Sequence, residues 1–316
     1  LYGGLNLILV GDPAQLPPVG TAAMWSPSPV GDGHTVEGYR AWLGLNAAIE
    51  LTEVRWQQGD DQAGFRRVLT HVAEDCVTQD DWELLQVSMQ SSTTATTVAT
   101  FDDAVHLFPT NSKADAWNWK RLNLLGSPVT RINVDHTLRG FTTASTDRFR
   151  GLQPQIFRAV GARVFVNNNI WTSAGLANGA AGVVVHMHWP EGRSPPSLPD
   201  VVFVRMENYS GPQYFEDTST PPARRGHGQA TRGPGDQPPA RCVGTQLPLA
   251  VAFAITIHKS QGQSLFRAVG DIGSSEQTDG QTFTALSRLR TMKGLLLEDI
   301  DLDRLLRIGQ GNSFQL

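Results

Sequence analysis

Apolar runs of strand length alternate with helical stretches at both ends of this chain, and a stretch broken up by Gly, Asn and Pro lies between them. Residues 5–10 form the first run. It closes in Gly11-Asp12, the pattern of a buried parallel strand with a functional loop at its carboxyl end. Residues 26–38 read as a loop, 39–51 and 65–73 as helices, and the Ser/Thr-rich tract 91–100 as a connector. Residues 105–108 read as a strand, Thr110-Asn111 as a capping pair, 112–125 as a helix and 129–134 as another strand. Short β segments follow at 162–166, 182–187 and 201–206, as expected of a small barrel-like unit. Residues 250–259 suit either a helix or a strand, with Gly262 as a helix stop. Strands at 268–272 and 295–297 and helices at 282–290 and 301–308 complete the alternation. The expectation is an α/β domain carrying an inserted β domain.

Composition narrows the classes. Hydrophobic residues make up 40% of the 316 and charged residues 18%, so a core can form and global disorder is excluded. No apolar run reaches membrane-spanning length. Two cysteines, Cys76 and Cys242, cannot build a disulfide framework or a closed zinc site. The net charge of -4 argues weakly against a generic basic nucleic-acid binder. Ten of the 19 prolines fall between His186 and Ala240, and residues 217–240 read as a flexible insertion loop.

Four segments can carry chemistry. In Gly11-Asp12-Pro13-Ala14-Gln15-Leu16-Pro17-Pro18-Val19, polar side chains sit where open α/β sheets bind ligands. Gln15 can orient a phosphate oxygen or an attacking water, and a tight proline-stiffened turn accounts for the segment equally well. Thr256-Ile257-His258-Lys259-Ser260-Gln261-Gly262 packs hydroxyls, an imidazole, an ammonium and an amide behind an apolar run. That set suits phosphates of a nucleotide or a nucleic-acid backbone, and a solvated helix end is the bland alternative. Lys259 is one of only four lysines among 26 basic residues, which makes its place there informative. Arg288, in Phe283-Thr284-Ala285-Leu286-Ser287-Arg288, needs an anionic partner or solvent on an otherwise apolar helix, and its fork matches phosphate geometry. Arg55, in Leu51-Thr52-Glu53-Val54-Arg55, is a weaker second arginine candidate. No G-x-x-x-x-G-K-[ST] loop and no Asp-Glu pair after an apolar strand occur. His186 and His188 lack acidic or Cys partners nearby and read as structural, so no metal ligand is assigned.

Taken in order, these segments resemble the Pif/RecD-type DNA helicases of superfamily one, the Pif branch above all. The series runs from Gly-Gly and Gly-Asp-x-x-Gln-Leu-Pro-Pro-Val through Phe108-Pro109-Thr110-Asn111 with Asn118 and Leu122. It continues with Gly161-x-Arg163-Val164, Leu176-x-Asn178-Gly179 and Gly182, and closes on the His258-Lys259-Ser260-Gln261-Gly262 and Ala285-Leu286-Ser287-Arg288 segments. The resemblance implies two RecA-like parallel-sheet domains of P-loop-NTPase type with an SH3-like β insert. It implies ATP between those domains, with Mg²⁺ held mainly by a first domain that precedes this chain, and single-stranded DNA and duplex junctions as partners.

On that resemblance, residues 1–45 are the end of the first RecA-like domain. Residues 46–155 and 246–316 are the two parts of the second, and 156–245 are the insert. Gln15, Arg55 and Arg288 would act in phosphoryl transfer, and Gly11, Asp12, Gln15, Gly262 and Arg288 would line the ATP site. Thr110, Asn111, Thr256, His258, Lys259 and Ser260 would face DNA. The resemblance implies a 5′-to-3′ helicase, of which this chain alone would be inactive. A DNA-binding or regulatory remnant without catalysis is the alternative, and an unrelated nucleotide-binding α/β protein a weaker third.

Overall fold

The computed structural model describes residues 5–19, 23–25, 33–133, 135–136, 155–212, 222–223, 226–230 and 242–308. In chain order the helices and strands begin with α1 (Gly33–Leu43), α2 (Ala63–Ala73), α3 (Gln79–Gln86), α4 (Ala95–Ala99), β1 (Val105–Phe108) and α5 (Asn111–Leu124). Then come β2 (Thr130–Asn133), β3 (Asp135–His136), β4 (Gln155–Arg158), β5 (Arg163–Val166), β6 (Ala181–His188) and β7 (Val201–Met206). β8 (Pro222–Ala223), β9 (Gly226–Ala230), β10 (Cys242–Gln246), β11 (Leu249–Val251), β12 (Ala254–Thr256) and α6 (Ile257–Ser260) follow. The chain closes with β13 (Ala268–Gly270), α7 (Gln281–Ser287), β14 (Leu295–Leu297) and α8 (Leu302–Leu306). No helix among the described residues is long and apolar enough to cross a membrane.

The chain divides into two compact units, residues 1–113 with 255–316 and residues 114–254. The insert expected over 156–245 falls within the second.

The first unit is built on a four-stranded sheet of order β12-β1-β13-β14, in which β1 and β14 run parallel to β13 between them. All three residues of β13 and of β14 are buried, as strands covered on both faces must be. Phe101, Ala104, Val269 and Leu296 pack together at one side of this sheet. α2 buries Phe65, Val68, Leu69 and Val72, which recur at helical spacing. Thr78 starts α3 with a reciprocal capping box through Asp81, and the Asp301 carboxylate accepts the Arg304 amide at the start of α8.

The second unit is antiparallel. Its five-stranded sheet has the order β11-β5-β6-β7-β8, with a three-stranded sheet β3-β10-β9 and a two-stranded ladder β2-β4. β7 alternates, with Val202, Val204 and Met206 buried, the period-two pattern of a half-covered strand. Those side chains share a core with Leu122, Ile132, Ile156, Val164, Val184 and Leu247.

Several expectations from the sequence need correction. Residues 5–10 form no strand. Ile8 and Val10 are exposed, because no described strand offers this segment backbone partners, and a lone strand satisfies neither its amides nor its apolar face. The helix expected over 39–51 starts earlier, at Gly33, and stops at Leu43, where the Gly44 amide closes on the Arg40 carbonyl. The expected loop at 26–38 is therefore helical from Gly33, and its residues 26–32 lie outside the described ones. The connector 91–100 holds α4, started by the Thr94 hydroxyl accepting from the Thr97 amide. Most of the 217–240 insertion lies outside the described residues, but Pro222–Ala223 and Gly226–Ala230 are strands paired with β7 and β10. Ladder hydrogen bonds there override a Pro/Gly-rich composition.

Candidate functional site

The Gly-Asp-Pro-Ala-Gln-Leu segment lies against α7 within the first unit. The Asp12 carboxylate accepts from the Ala14 amide at 3.1 Å and from Gln15 Nε2 at 3.0 Å, so the turn is held by its own aspartate. The Leu16 amide donates to Thr284 Oγ1 at 3.1 Å, and the Leu16 carbonyl accepts from Gln261 Nε2 at 3.0 Å. Gly280, at φ +77°, lets this backbone come close: a Cβ there would stand 2.4 Å from the Ala14 carbonyl oxygen. These contacts bring Asp12 and Gln15 to the helix that ends in Arg288.

Arg288 is buried. Its Nε donates to the Thr284 carbonyl at 2.9 Å, one Nη to Ser287 Oγ at 2.9 Å and the other weakly to the Gln263 carbonyl at 3.4 Å. Among the described residues no carboxylate lies within ion-pair distance of it. Burial lowers its pKa from the ordinary arginine value, and the more distant Asp12 charge pulls the other way. A buried guanidinium served only by neutral acceptors is electrostatically undercompensated, and an anion reaching it would relieve that cost.

Arg55 is placed differently. Its guanidinium pairs with Glu53 at 2.7 Å, and both side chains are exposed. The residues after it anchor the strand of chain that follows α7. Gln57, buried, donates to the Leu289 carbonyl at 2.7 Å, and Arg290 stacks over the Trp56 ring with 4.9 Å to its centroid.

The second cluster joins α6 to the start of α5. Thr256, buried, starts α6 by accepting the Lys259 amide at 3.3 Å. Lys259 is exposed, and its Nζ donates to Asn111 Oδ1 at 3.4 Å, so two residues 148 positions apart meet. Thr110 Oγ1 accepts from the Lys113 amide at 3.4 Å, a weak cap, and Lys113 Nζ pairs with Asp271 at 2.6 Å. His258 is half-buried, and burial lowers its pKa, so the neutral ring is favoured. Ser260 is fully buried and donates to the Ile257 carbonyl at 2.7 Å; its hydroxyl is turned inward. Gly262, at φ +73°, has open space where a Cβ would sit. In the second unit, Asn118 fastens α5 to the chain at Ala254 by two hydrogen bonds: its Nδ2 donates to the Ala254 carbonyl and its Oδ1 accepts from the Ala254 amide, both at 2.8 Å.

Gln261, Thr284, Gly280 and Gln57 do the positioning; of these the sequence singles out only the Gln261 amide, and as a phosphate-binding group rather than as a tether for the Leu16 carbonyl. Among the described residues no group of three or more His, Cys, Asp and Glu is placed to hold a metal.

No family model matches the chain. Among curated proteins it is 31% identical over 322 residues to the ATP-dependent DNA helicase PIF1 of Rattus norvegicus, covering 95% of this chain and 42% of that one. It is likewise 31% identical to the human PIF1 helicase, over 95% of this chain and 41% of the relative. The Pif1 helicase of Bdellovibrio bacteriovorus is 26% identical over 94% of the chain. The chain thus spans about two fifths of the length of the vertebrate relatives it matches. Among solved structures, Bacteroides Pif1 bound to single-stranded DNA aligns with a TM-score of 0.62 at 21% identity, covering 96% of this chain and 64% of that one. Bacteroides Pif1 in complex with ADP-AlF3 and single-stranded DNA gives 0.58 at 23% identity, over 81% and 53%. The parallel sheet of the first unit is accordingly of RecA-like α/β type, and the sheets of the second unit are antiparallel.

Proposed function

This chain is homologous to the Pif1 helicases over 95% of its length, and from that premise we propose that it is the C-terminal portion of an ATP-dependent 5′-to-3′ DNA helicase. Its partners would be ATP, single-stranded DNA and duplex junctions. The observation that carries the reading is the buried Arg288, lacking a carboxylate partner among the described residues and held at the end of the helix on which the Asp12–Leu16 turn docks.

In this reading Arg288 exchanges its weak bond to Gln263 for a phosphate oxygen and stabilises the charge that spreads over the transferred phosphoryl group. Gln15, fixed by Asp12, orients the γ-phosphate or the attacking water. Gly11 and Gly262 let backbone approach the nucleotide. Arg55 reaches the phosphate only by giving up its pairing with Glu53. Asn111, Lys259 and the neutral His258 grip the DNA backbone, with Thr110 and Thr256 shaping the loops that present them, while Ser260 has a packing part. Mg²⁺ would neutralise phosphate charge, but the described residues do not form a site for it, and no step here is assigned to it.

The test uses the purified chain with single-stranded DNA and ATP. DNA binding without turnover is expected, since no phosphate-binding G-x-x-x-x-G-K-[ST] loop occurs in the sequence. Strong DNA-stimulated hydrolysis by this chain alone would refute the division of labour. In the full-length protein, Arg288→Ala should cut kcat by about 10³-fold or more while leaving DNA affinity in place. An unchanged kcat would remove Arg288 from the chemistry.

A further inference from the structure

The part of α5 in the second unit carries both an exposed aromatic ring and cations. Trp119 is 48% exposed, and its ring stands edge-on to Phe157 of β4, with centroids 5.0 Å apart and planes at 71°. Arg131 of β2 lies directly opposite Phe157 in the antiparallel ladder, so it shares that face, and it is exposed. Lys120, next to Trp119, lies over the Trp117 ring at 5.0 Å, and Arg121 lies over Phe253 at 5.6 Å. α5 carries three cations against one carboxylate, Asp115, and holds two of the four lysines of the whole chain.

We propose that Trp119, backed by Phe157 and flanked by Lys120 and Arg131, is a stacking platform for single-stranded nucleic acid, separate from the Asn111–Lys259 grip. The chemistry selects the occupant. Unpaired bases offer π faces to an exposed indole, and the phosphates linking them need nearby cations. Lysine is depleted at the centres of protein interfaces, so Lys120 favours a nucleic acid over a protein partner. Here the exposed Arg131 shares the face of Phe157, while Lys120 and Arg121 of α5 lie over the neighbouring Trp117 and Phe253 rings. The platform does not depend on the helicase reading, since nothing in it uses ATP or Arg288.

The experiment measures binding of a fluorescent thymidine oligonucleotide to the purified chain across a salt series, with Trp119→Ala, Trp119→Phe, Lys120→Gln with Arg131→Gln, and Lys259→Ala, each checked by thermal melting. Trp119→Ala should weaken binding about tenfold, and Trp119→Phe should restore most of it, because a ring is kept. The double charge variant should reduce the slope of log affinity against log salt by about 1.4. Ultraviolet cross-linking should label the peptide containing Trp119 in the wild type and in Lys259→Ala alike. If Trp119→Ala binds like the wild type while Lys259→Ala fails, the platform is refuted and the grip stands. If Trp119→Ala fails and Lys259→Ala binds normally, the platform stands and the grip falls. Absence of binding by the wild type, or a Trp119→Ala effect confined to self-association in sedimentation, also overturns the platform.

Discussion

Gly280 lies so close to Ala14 that a β-carbon on it would come within 2.4 Å of the Ala14 carbonyl oxygen. Its positive φ adds a second constraint, since an L-residue in that region costs about 1–3 kcal/mol. Gly280→Ala should therefore lower stability by at least that much and loosen the Asp12–Leu16 turn from Thr284. Urea denaturation reads the first effect. Faster amide exchange at Leu16 reads the second, and protection as in the wild type would show that the close approach is not needed.

Arg304 is buried and holds the segment before α7. Its guanidinium donates to the Gly273 carbonyl at 3.0 Å, to the Ile272 carbonyl at 3.2 Å, to Thr282 Oγ1 at 3.0 Å and to Glu276 at 2.7 Å. Glu276 in turn accepts from the Thr282 amide and hydroxyl at 2.8 and 2.6 Å. Removing one partner of a buried pair strands the other, at about 3–5 kcal/mol. Arg304→Met and Glu276→Gln should each destabilise strongly. The double variant should lose less than the sum of the two, as a double-mutant cycle in urea would reveal. Strict additivity would contradict the network.

Much of this arrangement was legible beforehand and part was not. β1, β7 and β14 fall where apolar runs of strand length predicted them, because burial on one or both faces dictates their pattern. The Asn111–Lys259 meeting could be anticipated only from resemblance, since no local pattern encodes a contact across 148 positions. No local pattern marks Arg304, because its burial depends on carbonyls that the fold delivers to it. Residues 5–10 misled for the opposite reason: their apolar pattern is that of a sheet strand, but the described residues supply no strand beside them.

Acid should unfasten α3 from α2. Asp81 has a fully buried side chain, and burial by itself would raise its pKa. Hydrogen bonds from His71 at 2.6 Å and from the Thr78 amide and hydroxyl at 2.9 and 2.8 Å outweigh burial and bring it below the ordinary 3.8. A depressed carboxylate stabilises the fold above its unfolded pKa and loses that contribution as pH falls through the folded value. The stability difference between wild type and Asp81→Asn should be full at pH 7 and shrink below about pH 4. A difference independent of pH from 7 to 3 would contradict this.

Whether the chain grips single-stranded DNA through the Asn111–Lys259 pair is tested most directly by its binding affinity as a function of salt. Wild type should bind with a linear decline of log affinity in log salt, and Lys259→Ala should bind more weakly, with a slope smaller by about 0.7. An Asn111→Ala variant should weaken binding while leaving the slope unchanged, because it removes a neutral group. Equal affinity and equal slope for Lys259→Ala and wild type would contradict the account.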